Sequence, residues 1–233
     1  MKFAKTLAVA AVAALPMIAS AQLSANVSLT SNYKFRGQDQ DIGRTSAFKP
    51  ALQGGFDYAF ANGFYIGNWN SSVDWAANNS LESDFYGGYK FPLGPLAADV
   101  GLLRYQYSGN SMVNTTEAYF GVGYGPFSAK YSHTVSDGYF GWGQPAGDGK
   151  GTGYLNLAIA QEIMPKLTLK ASVGFTNFKT ATGAEDYTDY SIGASYDLGD
   201  GFSLSGALVG ANEKAFYGFV NKNRFVLTIT KAM

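Results

Sequence analysis

The sequence predicts an all-β chain: a closed antiparallel transmembrane β-barrel of about twelve strands in an up-and-down meander. Three observations predict it. From Ser24 to Met233 apolar and polar residues alternate with period two; the connections alternate between tight turns and longer stretches; and the alternating segments come in an even number. No Pro/Ser-rich linker or charge block divides the 233 residues, so one domain is expected after the N-terminal leader.

That leader is residues 1–21. Lys2 and Lys5 precede the apolar run Leu7 to Leu15, and Ala19-Ser20-Ala21 places small residues where a signal peptidase cuts, making Gln22 the expected mature start. The run is too short to span a bilayer comfortably as a helix. The barrel is expected over residues 22–233. Removing Lys2 and Lys5 lowers the 17 basic residues to 15 against 17 acidic ones, a formal charge of −2, which gives no support for a nucleic-acid partner. Cysteine is absent, which removes disulfides, thiolate metal sites and cysteine nucleophiles.

The first segment, 24–36, sets the pattern: Val27, Leu29, Tyr33 and Phe35 alternate with Ser28, Thr30, Asn32, Lys34 and Arg36. The others are read at 46–60, 64–75, 81–91, 96–107 and 115–125, then at 127–136, 152–163, 167–178, 187–198, 202–212 and 223–232. In the fifth, Asp99 and Arg104 have opposite parity, so a bulge or a displaced boundary is expected between them. Ala61-Asn62-Gly63, Pro92 to Pro95, Gly125-Pro126, Met164-Pro165-Lys166 and Gly199-Asp200-Gly201 are tight connections. Their Gly, Pro, Asn and Asp residues supply the corner geometry of hairpins. Short turns on one side and long loops on the other describe an outer-membrane barrel, with both termini on the short-turn, periplasmic side.

Size decides which face points outward. A closed sheet of twelve strands encloses a lumen too wide for a dry core, so the apolar face belongs against lipid and the polar face against water. Strands of about eleven residues, rising roughly 3.3 Å each and tilted about 40°, give an apolar band near roughly 25 Å. Aromatics gather at strand ends: Tyr58, Phe60, Phe64, Tyr89, Phe91, Tyr124, Phe127, Tyr196 and Phe202 at the tight turns, and Trp75, Tyr105, Tyr107, Phe178 and Tyr187 at the other side. Two interfacial girdles are the corresponding expectation. Glycines within strands (Gly54, Gly55, Gly67, Gly87, Gly88, Gly121 and Gly123) permit bending and leave lumen space.

Several stretches carry a family resemblance. Residues Ser28 to Gly37 (SLTSNYKFRG), Gly63 to Asp74 (GFYIGNWNSSVD), Glu82 to Tyr89 (ESDFYGGY), Asp99 to Tyr107 (DVGLLRYQY) and Glu117 to Ser132 (EAYFGVGYGPFSAKYS) follow one another in a set that resembles the TorF family of porin-type outer-membrane proteins. That family's function is poorly defined. The resemblance runs from about Asn26 to Lys231 and implies location and a porin-like role; it supplies neither a solute nor catalytic residues. One departure is the C-terminus, where Phe225, Leu227 and Ile229 alternate but Lys231 and Met233 occupy the last places instead of a closing Phe read by the assembly machinery.

Nothing reads as an enzyme active site. His133 is the sole histidine, so a Ser-His-acid site must use it, and it shares parity with Phe127, Ala129, Tyr131 and Val135 on the apolar face near the long-loop rim. One histidine and no cysteine disfavour a zinc site, while a carboxylate-only site for a hard cation stays open. No cofactor is expected. Glu82 and Asp84, two apart on one face, could share acid/base work, but paired polar lining is the blander explanation. Asp137 to Gly151, with Tyr139, Phe140 and Trp142, fails the phosphate-loop pattern; it folds inward to narrow a pore, presents its aromatics to sugar-like solutes, or lies as a flexible surface loop. Calcium binding by Asp137 and Asp148 lacks EF-hand spacing.

The polar face supplies Lys34, Arg36, Lys49, Lys90, Lys130, Lys170 and Arg224 against Asp57, Asp74, Glu82, Asp84, Glu117, Glu162, Asp189 and Asp197. Of these, Lys34, Arg36, Lys49, Asp57, Asp74, Glu82, Asp84, Lys90, Glu117, Lys130, Lys170 and Asp189 are the expected pore-lining set. Mixed charges can form a transverse field or pair off and block the lumen. The leading expectation is passive diffusion of small hydrophilic solutes; the alternative is a structural or surface-interaction barrel with a charge-filled, non-conducting lumen. Expected partners are outer-membrane lipid, small hydrophilic solutes and the outer-membrane assembly machinery. Such barrels often form oligomers, and the sequence leaves that open without showing an interface.

Overall fold

The computed structural model describes residues 22–43, 46 and 48–233. The expected leader lies outside the described residues. Twelve wall strands are present: β1 (Gln22–Thr30), β4 (Ala51–Ala59), β5 (Phe64–Ser72), β6 (Leu81–Leu93), β7 (Leu96–Tyr107), β8 (Thr115–Tyr124), β9 (Phe127–Thr134), β10 (Gly153–Met164), β11 (Leu167–Asn177), β12 (Tyr187–Gly199), β13 (Phe202–Ala211) and β14 (Arg224–Ala232). Two short strands, β2 (Lys34–Phe35) and β3 (Gln38–Asp39), form a separate two-stranded sheet. Each wall strand pairs antiparallel with its neighbour, and β1 pairs with both β4 and β14, closing the barrel. Both chain ends meet at the short-turn side, where the Ala25 amide donates to the Met233 carbonyl at 3.1 Å.

The tight turns follow from backbone chemistry. Leu93 pairs with Leu96 and Tyr124 with Phe127, leaving two-residue corners at which Gly94 and Gly125 adopt positive φ (59° and 56°). Alternation then sends alternate side chains to opposite faces. Leu52, Phe56, Phe64, Ile66, Phe85, Leu102, Phe120, Ile192 and Leu227 are exposed on the outside. Lys49, Glu82, Glu117, Thr115 and Thr134 are buried inside. Apolar groups outside and ionic groups within invert the usual globular arrangement.

Four expectations are corrected. The first segment does not run to Arg36 as wall, nor does the second begin at 46. β1 and β4 end their pairing at Thr30 opposite Ala51, and the chain between them turns into the barrel as the β2–β3 hairpin. Tyr33 and Phe35 therefore point into the interior, where Tyr33 meets Trp69 at 5.6 Å and Phe35 meets Tyr105 at 5.4 Å. The expected long-loop girdle also lies inside: Tyr105 and Tyr107 are 4 % and 3 % exposed, Phe178 and Tyr187 are buried, and Trp75 packs edge-on against Tyr107 at 5.1 Å. The short-turn aromatics Phe60, Phe64, Tyr89, Tyr124, Phe127, Tyr196 and Phe202 do face outward. Between Asp99 and Arg104 there is no bulge; pairing to β6 and β8 is continuous, so Asp99 points inward and Arg104 outward, donating to Thr116 Oγ1 at 2.9 Å. Finally, Asp74 lies beyond β5, exposed on the rim rather than along the lumen.

Candidate functional site

The candidate site is the lumen and the hairpin that crosses it. Phe35 pairs with Gln38, so Arg36 and Gly37 form a two-residue corner with φ of 46° and 76°. Glycine tolerates that left-handed geometry, whereas arginine holds it only where surrounding contacts over-determine it. Arg36 has such contacts. Arg36 Nη1 and Nη2 donate to the two Glu117 carboxylate oxygens on β8 at 2.8 and 2.7 Å, and Nη1 also donates to the Tyr139 hydroxyl at 2.7 Å. Its guanidinium lies 4.0 Å over the Tyr154 ring of β10. Strands β8 and β10 lie across the barrel from β1, so the hairpin spans the lumen. The Arg36 and Glu117 side chains are 6 % and 1 % exposed. Burial disfavours the Arg36 charge, but Glu117 more than offsets this and holds its proton affinity above the ordinary guanidinium value.

The hairpin root is held by one carboxylate with three cations. Asp39 faces Lys34 at 3.2 Å, Lys49 at 3.3 Å and Arg224 of β14 at 3.1 Å. Lys34 Nζ also donates to the carbonyls of Gly37, Val220 and Lys222 at 2.8, 2.9 and 2.6 Å. Burial nevertheless pulls its pKa down to about 8, against the opposing pull of Asp39. The tip also presses on β12 and β13: a Cβ on Gly37 would lie 2.6 Å from both Asp189 Cβ and the Gly210 carbonyl. Hence tip and root are both fastened.

Loop 137–151 folds inward, taking the first of its three expected positions. Phe140 packs edge-on against Tyr139, Tyr105 and Phe35 at 4.7, 4.9 and 5.3 Å. Tyr139 continues into a second cluster with Phe178, Tyr187 and Ala211. The long-loop end of the lumen is therefore filled by rings and buried ion pairs.

The short-turn half is different. Lys90 lies 4.9 Å over the Tyr65 ring and Lys130 3.8 Å over Tyr119. Tyr65 donates to Asp99 at 2.7 Å and Tyr86 to Asp57 at 2.6 Å, while the Tyr65 and Tyr119 hydroxyls are in contact. Lys170 points inward from β11, and half-buried Asn156 of β10 shares that lining. Among the described residues none of Lys90, Lys130 and Lys170 forms an ion pair.

The sequence-derived set is thus divided. Lys34, Arg36 and Lys49 belong to the inserted segment; Glu82, Asp84, Glu117 and Asp189 line the filled half; Asp57, Lys90, Lys130 and Lys170 line the polar half. Asp74 stands apart on the rim, its amide donating to the Gln40 carbonyl at 2.9 Å. Sequence reasoning missed Asp39, Tyr154 and the Tyr65–Asp99–Tyr119 group as functional residues. His133 is exposed at the end of β9, with Tyr131 as its neighbour at 3.3 Å.

A family model described as a bacterial protein of unknown function, Gcw_chp, matches residues 16–233. The chain belongs to that family. Its fold is similar to those of solved porins. It is similar to a KdgM porin, with TM-score 0.58 and 11 % identity over 89 % of this chain and 98 % of that one. It is equally similar to a NanC porin, with TM-score 0.58 and 10 % identity over 91 % of this chain and 98 % of the other. At those identities the likeness is one of fold. No curated protein matches the sequence.

Proposed function

We propose that the chain is an outer-membrane porin-like channel that passes small hydrophilic solutes by passive diffusion past a built-in constriction, the β2–β3 hairpin. The observation that carries this reading is the contrast between the two halves of the lumen. A barrel with no passage to provide has no use for the Lys90, Lys130 and Lys170 ammoniums, which form no ion pair among the described residues, facing its interior, because burying such groups idle is costly. The apolar outer belt supports placement in lipid. The porin likeness and the TorF resemblance point the same way. On this reading the partners are outer-membrane lipid, the assembly machinery and the solutes themselves, and the barrel carries out no catalysis.

A second reading has its own support. The buried Arg36–Glu117 pair and the aromatic cluster around Phe140 favour a closed barrel that acts through its surface loops. One experiment separates the two. Because Thr30 pairs with Ala51, residues 31–50 can be replaced by a two-residue turn without altering wall pairing. In planar bilayers, the wild type should give small conductance steps and the excised barrel larger ones. A silent wild type beside a conducting excised barrel assigns the closed reading, and silence from both, with folding verified, refutes the channel.

A further inference from the structure

Beneath the hairpin, the wall buries two carboxylates with no counter-charge. Glu82 and Asp84 both point inward from β6 and are 0 % and 7 % exposed. The register sets Glu82 between Ser71 and Tyr107 and Asp84 between Trp69 and Tyr105. Glu82 Oε1 accepts a hydrogen bond from the Tyr33 hydroxyl at 3.3 Å. Among the described residues, Glu82 Oε2 and Asp84 Oδ1 have no hydrogen-bond partner. The buried hydroxyl of Tyr107 stands opposite Glu82, within reach of its carboxylate.

The cations of the filled half are engaged elsewhere: Arg36 holds Glu117, while Lys34, Lys49 and Arg224 hold Asp39. A pair of buried carboxylates without compensation is far more costly than an ordinary buried polar group. Two carboxylates, each with an unpartnered buried oxygen, on one face of β6 therefore call for a positive occupant.

We propose that Glu82, Asp84 and the Tyr107 hydroxyl hold a calcium-sized divalent cation. Two carboxylates match its charge, and every donor is a hard oxygen. With only two carboxylates, hydroxyls and water must complete the shell; calcium accepts such a mixed, irregular set, whereas magnesium demands a near-ideal octahedron. Tyr33 belongs to the inserted segment and touches Glu82, so the cation sits against the constriction. Its presence keeps the wall neutral where the hairpin seats.

Terbium(III) tests this directly, because Trp69, Trp75 and Tyr107 are placed to sensitise its emission. The refolded full barrel should give saturable terbium emission that calcium displaces. The E82Q/D84N double variant should lose that emission at least tenfold, the single variant D84N should lose part of it, and D57N should keep it. Migration of the unheated protein on a gel verifies folding of each variant. Emission that persists in the folded double variant, or is absent from the folded wild type, overturns the proposal. So does a barrel whose thermal midpoint ignores calcium in wild type and double variant alike, since the carboxyls would then share a proton.

Discussion

Arg36→Ala isolates the fastening of the constriction. The substitution leaves Glu117 buried with the Tyr105 hydroxyl, at 3.3 Å, as its remaining side-chain partner. Breaking a buried ion pair from one side costs about 3–5 kcal/mol. Loss of the guanidinium from the Tyr154 ring adds about 0.5–2 kcal/mol. Those costs fall on seating the hairpin, because β2 and β3 contribute nothing to the wall ladder. At about 1.4 kcal/mol per decade, a loss of ~3 kcal/mol lowers the ratio of seated to released hairpin by roughly a hundredfold. Single-channel recording should show that shift as longer dwell in a high-conductance state, while the barrel keeps its folded gel mobility. Adding Glu117→Ala removes the stranded charge and should recover part of the seating. Traces indistinguishable from wild type in R36A would refute the assignment of Arg36 as the pin.

Three further predictions follow from named contacts. Gly37→Ala forces a side chain into left-handed backbone, about 1–2 kcal/mol, and against Asp189 and Gly210; its high-conductance dwell should rise. Lys34 has its pKa lowered to about 8 from an ordinary 10.5, so a released hairpin binds its proton more readily. Seating should therefore strengthen as pH rises from about 8 towards 10.5, and high-conductance dwell should fall over that window; Lys34→Met should flatten the profile. Ile192→Arg puts a charge on the outer face near mid-strand and should cost about 2–4 kcal/mol in urea titrations of the vesicle-inserted barrel, whereas Ser191→Arg, facing the lumen, should change stability little.

The wall was legible because its signals are local. Period-two alternation and corners such as Gly125-Pro126 and Gly199-Asp200-Gly201 need no knowledge of distant residues, and each of the twelve wall strands overlaps one expected segment, the first two being shorter than expected. The hairpin was hidden by the same signal: Tyr33, Lys34, Phe35 and Arg36 alternate whether the ribbon continues along the wall or turns inside. The clue was Arg36-Gly37, a dipeptide able to make a positive-φ corner at the very end of an expected strand. The misplaced girdle was readable from parity, since Tyr105 and Tyr107 share the register of Asp99, and Tyr187 that of Asp189. What sequence could not supply was pairing across the lumen. Arg36 and Glu117 lie 81 residues apart, and only the closed strand order brings them together.

Because the chain lacks cysteine, adjacent single-cysteine variants can report the two faces of β12. Ser191 points into the lumen and Ile192, 63 % exposed, points outward. In lipid vesicles, a membrane-impermeant maleimide should label S191C and spare I192C. Labelling of I192C with protection of S191C would mean that the nonpolar side chains meet water around a dry interior, contrary to the architecture described.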